Sequence, residues 1–192
     1  MTRVLSLLLC PILLLGGCAT RITATKTSNP PPREAFSGFT KITVGDVRYA
    51  KECARSNDND RALAKIGENL DARLKEPLAR WNAAGAGRAP KRTLVVDPLV
   101  TEMKFVDGTA RFWAGAMAGS SAVVLRVRIY VYETDEQIAA PEFFARASAM
   151  GGGWTIGATD NVMLSRIADR LADYLEANYE QPVGGPTGVD VR

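Results

Sequence analysis

The chain predicts an α+β fold, a mainly antiparallel sheet of about four to five strands covered by two helices. Three observations point to it. The stretch from Ala122 to Tyr132 alternates strictly, with Val123, Leu125, Val127, Ile129 and Val131 against Val124, Arg126, Arg128, Tyr130 and Tyr132, the period of a sheet with one face buried and one at least partly wet. Leu63, Ile66, Leu70, Leu74, Leu78 and Trp81, and again Leu164, Ile167, Leu171, Tyr174 and Leu175, recur at helical intervals of three and four,. The order strand, helix, strands, helix then selects a sheet with helices packed on it. With 192 residues, 46% of them hydrophobic, the chain can bury one core of ordinary size without disulfides or a metal.

Taken in order, residues 1–17 read as a leader. Arg3 precedes an apolar run from Val4 to Leu15, broken only by Ser6 and Pro11, too short for the roughly 20 residues that span a bilayer. The run ends Leu15-Gly16-Gly17-Cys18, which resembles the bacterial lipobox, and that resemblance implies cleavage after Gly17 and acylation of Cys18 with palmitate-type chains. A plain signal peptide with an accidental cysteine, or an uncleaved anchor, is the competing reading. Ala19 follows, where Asp is associated with inner-membrane retention, so the expected location is the outer membrane, periplasmic face. Cys10 leaves with the leader and Cys18 carries lipid, so Cys53 alone remains and no intrachain disulfide can form,.

Residues 18–37 are rich in Thr, Ser and Pro, with Pro30, Pro31 and Pro32 in a row. They read as an extended tether holding the domain off the membrane, or as a strap lying along its surface. The single domain is expected over 38–180. Its first strand falls between Phe39 and Tyr49. Ser56 to Asp60 then supplies capping side chains for a long helix with Pro77 near its end, stopped by Gly85 and Gly87,. Strand signals return from Thr93 through Val106, where Pro98 argues for an edge or a bulge. The alternating strand follows, then a turn at Thr134 to Gln137 and a second hairpin arm from Ile138 to Met150. Thr159 and Asp160 can cap the last helix, and 181–192 reads as a flexible polar tail.

The chain has no His, and its 24 Lys+Arg nearly balance 21 Asp+Glu for a formal charge of +3. Without imidazole there is no Ser-His-Asp or Cys-His set and no two-His zinc site. Interspersed charge of this size argues against nucleic-acid partners. Asp58-Asn59-Asp60 lacks the glycine and closing glutamate of a calcium loop. GGGWTIG, residues 151–157, precedes the last helix but has no phosphate-loop lysine, so ligand binding there is a weaker alternative to a packed turn. Carboxylate pairs such as Glu102 with Asp107, or Asp169 with Asp173, read as solvent faces. No catalytic residues, metal or cofactor are expected.

Two stretches are candidate contact surfaces. Gly108 to Ser121 carries Gly115 and Gly119 among small residues, with no charge from Phe112 to Leu125. It suits close backbone packing, an oligomer contact, or a membrane-inserting hairpin with the strand after it. The stripe Arg126, Arg128, Tyr130, Tyr132 has the residue types enriched where interfaces carry their energy, unless a helix simply covers it.

The stretch Val95 to Tyr132, with Gly108 and Arg111 before Gly115 and Gly119, and the glycine-rich break and closing helix from Gly151 to Tyr179, resemble the bacterial lipoproteins of domain of unknown function 4410. That family is distantly similar to the periplasmic domain of the curli secretion-channel lipoprotein and to the amino-terminal domain of the TolB translocation protein. The resemblance implies a compact assembly module with no catalytic residues to transfer. Its departure is the turn Thr134-Asp135-Glu136-Gln137, where the family pattern has Asp and Gly. The expected function is therefore a non-enzymatic, outer-membrane-anchored interaction module meeting other envelope proteins. Self-association as a subunit of a secretion pore is the alternative, and periplasmic binding of a small ligand a weaker one.

Overall fold

A computed structural model describes residues 22–51, 57–105, 121–147 and 158–189. Eight strands and two helices are present among them. They are β1 (Ser28–Asn29), β2 (Lys41–Val44), β3 (Arg48–Tyr49), α1 (Asn57–Gly85), β4 (Thr93–Lys104), β5 (Ala122–Val131), β6 (Gln137–Ala139), β7 (Glu142–Arg146), α2 (Ala158–Glu180) and β8 (Gly185–Pro186). Six strands form one mixed sheet in the order β2-β4-β5-β6, with β3 beside β4 and β7 beside β5. Both helices lie on one face of it, so the class is the α+β arrangement expected from the periodicities.

The details follow from local chemistry. The region from Phe39 to Tyr49 is two short strands, both parallel to β4; α1 supplies the long crossover that parallel neighbours need. Gly45 and Asp46 fall in the break between them. Pro98 belongs to the central strand β4, but its nitrogen points at that break, where no strand residue needs an N–H; the neighbouring Val96 and Val100 carbonyls accept from Gly45 and Ala50 on the same side. The register shift of β4 against β5 lies further on, between Val100 and Glu102. The second hairpin arm is likewise split into β6 and β7, both antiparallel to β5, by Ala140 and Pro141. In the turn, Asp135 takes φ +60°, the left-handed conformation a Gly would adopt there at no steric cost, and one that Asp tolerates. Its carboxylate is held by Arg128 at 2.8 Å.

The core lies between sheet and helices. Ile66, Leu70, Leu74 and Trp81 of α1 and Met163, Ile167, Leu171 and Leu175 of α2 meet Leu94, Val96, Leu125, Ile129 and Phe143. Phe143 meets Tyr174 edge to face at 5.7 Å, and Trp81 stacks on Tyr179 at 4.8 Å between the helices. Burial pushes the Tyr174 hydroxyl up to about 12, so it stays protonated and donates to the Pro30 carbonyl. Asp58 and Asp60 occupy the first turn of α1, where acidic side chains complement the helix dipole. Thr159 and Asp160 fall within the first turn of α2 rather than ahead of it.

The described parts of the terminal segments pack along the domain, the strap alternative for the first of them. Residues 22–37, read as a tether, lie on the domain, and so does the described part of the tail, residues 181–189. β1 pairs with β8. The Asn29 side chain brackets the Glu142 backbone, donating to its carbonyl at 2.9 Å and accepting from its N–H at 2.8 Å. Phe36 enters the main core. At the other terminus, Asn178 accepts from the Val183 and Gly184 N–H groups and donates to the Gly184 carbonyl. These partners satisfy backbone groups that would otherwise be left unpaired against the sheet, which is why polar, proline-rich stretches can be ordered here.

Candidate functional site

The side chains of β5 face two ways. Val123, Leu125, Val127, Ile129 and Val131 point into the core. Ala122 and Val124 point to the opposite face, where they form a second small cluster with Ala24 and Phe144, and with Ile22 and Val189 packed against it. Beyond that cluster the same face carries Arg126, Arg128, Tyr130 and Tyr132. Among the described residues no helix covers this row, contrary to the reading in which one would. Arg126 and Arg128 are exposed, Tyr130 is half-buried, and Tyr132 is 70% exposed.

The row is held by ion pairs across the strands. Arg48 of β3 contacts both carboxylate oxygens of Asp97 at 2.5 and 2.6 Å. Arg128 binds Asp135 and lies 4.3 Å over the Tyr130 ring, a geometry in which the ring face attracts the cation. The Asp135 hydrogen bond raises the Arg128 pKa above its ordinary value. Arg126 donates to Glu142 at 2.7 Å. Glu142 is 7% exposed. Burial raises its pKa, but the Thr25 N–H and the Arg126 guanidinium outweigh that and hold it below the usual carboxylate range. Lateral pinning of long side chains reduces the entropy they would lose on contact with a partner.

Of the candidate positions, the structure brings Arg126, Arg128, Tyr130 and Tyr132 onto one open face. Gly115 and Gly119 lie outside the described residues, as do Cys18, Cys53, Asp107 and the turn 151–157. The membrane-inserting hairpin fails in its described half: β5 is an interior strand of the sheet, with neighbours on both sides and its aliphatic face committed to the core. Sequence reasoning missed Glu142 and Asp135 as the partners of Arg126 and Arg128: Glu142 comes from β7, and Asp135 meets Arg128 through the left-handed turn after β5. Asp169, read as part of a solvent face, pairs with Arg73 of α1 in an inter-helix contact.

Two adjoining hollows of about 280 and 270 Å³ lie between α1 and the β2–β3 edge, lined by Val44, Asp46, Asp60, Asp71, Leu74 and Leu78 among others. Among the described residues no group of three His, Cys, Asp or Glu side chains is placed to hold a metal, and no helix is long and apolar enough to cross a membrane.

No family model matches the chain, and no curated protein matches it. Solved structures give distant likenesses. A PelC dodecamer from Paraburkholderia phytofirmans is 12% identical, over 73% of this chain and 91% of that one, with a TM-score of 0.38. A hypothetical protein of Chlamydia trachomatis is 16% identical over 71% and 93% of the two chains, TM-score 0.35. A candidate lipoprotein of Caulobacter crescentus is 14% identical over 74% and 90%, TM-score 0.35. Likeness this remote says nothing of what this chain does.

Proposed function

We propose that the protein is a lipoprotein anchored through Cys18 to the periplasmic face of the outer membrane, where it acts as a non-enzymatic interaction module through the open face of its sheet. The observation that carries this reading is the row Arg126, Arg128, Tyr130 and Tyr132, left uncovered by the helices, with Arg126 held by Glu142 and Arg128 by Asp135. An antiparallel sheet face turned away from the core is commonly solvated and polar. Here it presents two Arg and two Tyr, residue types that supply much of the energy at protein contacts. The chain's lack of His removes the usual general base,, and an assembly role requires none.

A photoreactive amino acid placed at Tyr132 in living cells tests the reading. Its 70% exposure makes substitution structurally mild. The expected result is a discrete cross-linked product from Tyr132 and none from Glu76, an exposed position on α1. Equal products from the two positions, or none from either, would overturn the proposal. A product of twice the chain mass would redirect it to self-association.

A further inference from the structure

The chain is held on the sheet almost from its lipidation site onward, and this restricts how the domain can sit on a membrane. Ile22 and Ala24 pack in the cluster with Ala122, Val124 and Phe144. Thr25 donates to the Glu142 carboxylate, Asn29 brackets the Glu142 backbone, and the Arg33 N–H bonds to the Ile138 carbonyl. The strap thus enters at the Arg146 end of β7 and runs toward β6. From Cys18 to Ala24 the covalent chain spans at most about 21 Å, at ~3.5 Å per residue.

The sheet end at which it enters is basic. Lys104, Ala122 and Arg146 are cross-strand partners in one row across β4, β5 and β7, placing the two basic residues two strands, or about 10 Å, apart. Lys26 lies on the strap, its carbonyl accepting from the hydroxyl of Thr187, whose own carbonyl accepts from the N–H of Phe144 two residues before Arg146, and all three basic side chains are exposed. Among the described residues within four positions of this row along β4, β5 and β7, the acidic side chains are Glu102 and Glu142, the latter already engaged by Arg126 and Thr25.

From the short reach and this charge we infer that the domain rests directly on the bilayer, with Lys26, Lys104 and Arg146 against anionic phospholipid headgroups. The inference rests on the lipidation of Cys18 proposed above. The far end of the sheet, at Thr93, then stands about 36 Å further from the membrane, one strand length of 12 residues away,. The open face stands upright, accessible from the side.

Energy transfer to a headgroup acceptor reads this directly. The mature, lipidated chain carries Cys53→Ser and a dye on either Lys104→Cys or Lys91→Cys, and is reconstituted in vesicles of phosphatidylethanolamine and phosphatidylglycerol. Strong transfer from position 104 and weak transfer from 91 is the expected result. A chain that floats with the vesicles but gives equal transfer from both sites overturns the docking alone. A chain that does not float overturns the anchor, and the docking with it. Adding Lys26→Glu and Arg146→Glu to the first variant should bring its transfer toward that of the second. Unchanged transfer there, in a chain with unaltered circular dichroism, overturns the headgroup contact.

Discussion

The two faces of the sheet use the same strand differently. On one, Val123, Leu125, Val127 and Ile129 are sealed beneath α1 and α2; on the other, one residue away along the same backbone, Arg126, Arg128 and Tyr132 meet solvent. Burial concentrates the folding energy on the first face, where removal of a side chain leaves a cavity. The second face is ordered by charge pairs, which at exposed positions contribute little to stability. Substitutions should therefore separate stability from contact-making along a single strand.

The largest effect belongs to the sealed face. Leu125 is fully buried, and Leu125→Ala should lower unfolding free energy by about 2–5 kcal/mol, read from the urea midpoint at unchanged slope. A loss below ~1 kcal/mol would mean that α1 and α2 do not close over β5 as described.

Next comes the seam joining α1 to the sheet. A Cβ at Gly85 would lie 2.3 Å from the Thr40 carbonyl oxygen, so Gly85→Ala must push the helix end from β2. Its expected cost is about 1–3 kcal/mol, the range for overpacking. Thermal unfolding at or above the parent midpoint would break the prediction.

Glu142 sits between the two regimes, buried on the otherwise open face. Because its pKa is held below the ordinary value of 4.5, its ionised form favours the folded state. That contribution is full above pH ~4.5 and is lost as pH falls through the lower folded value. Glu142→Gln should accordingly cost about 1–2 kcal/mol at pH 7 and flatten the acid side of the stability profile. Hydrogen exchange at Thr25 and Asn29 should accelerate first. A parallel profile for variant and parent would show that the strap does not depend on this charge.

How much of this was legible differs by element. The stripes of α1 and α2 and the alternation of β5 are local periodicities, and Ile66, Leu70, Ile167 and Leu171 fill the core as their spacing indicates. The split at Pro141 and the left-handed Asp135 also have local signals. The terminal straps do not, because their order rests on Asn29 reaching Glu142 and Thr187 reaching Lys26, partners more than a hundred residues apart. Phe36, a lone large aromatic in a polar run, was the available hint. The open face was half legible: its Arg and Tyr residues were visible, whereas the Glu142 counter-charge of Arg126 depended on the pairing of β5 with β7.

The smallest stability effect is also the most informative. Arg128→Ala with Tyr132→Ala removes the outer half of the row while touching nothing in the core. Its unfolding free energy should stay within about 0.5 kcal/mol of the parent's. The same pair of substitutions, carried in the lipidated chain and extracted in mild detergent, should reduce a complex seen by light scattering to the mass of the chain alone. A variant that keeps the parent's complex, or a parent that is itself a lone chain in detergent, would contradict the claim that this face makes the contact.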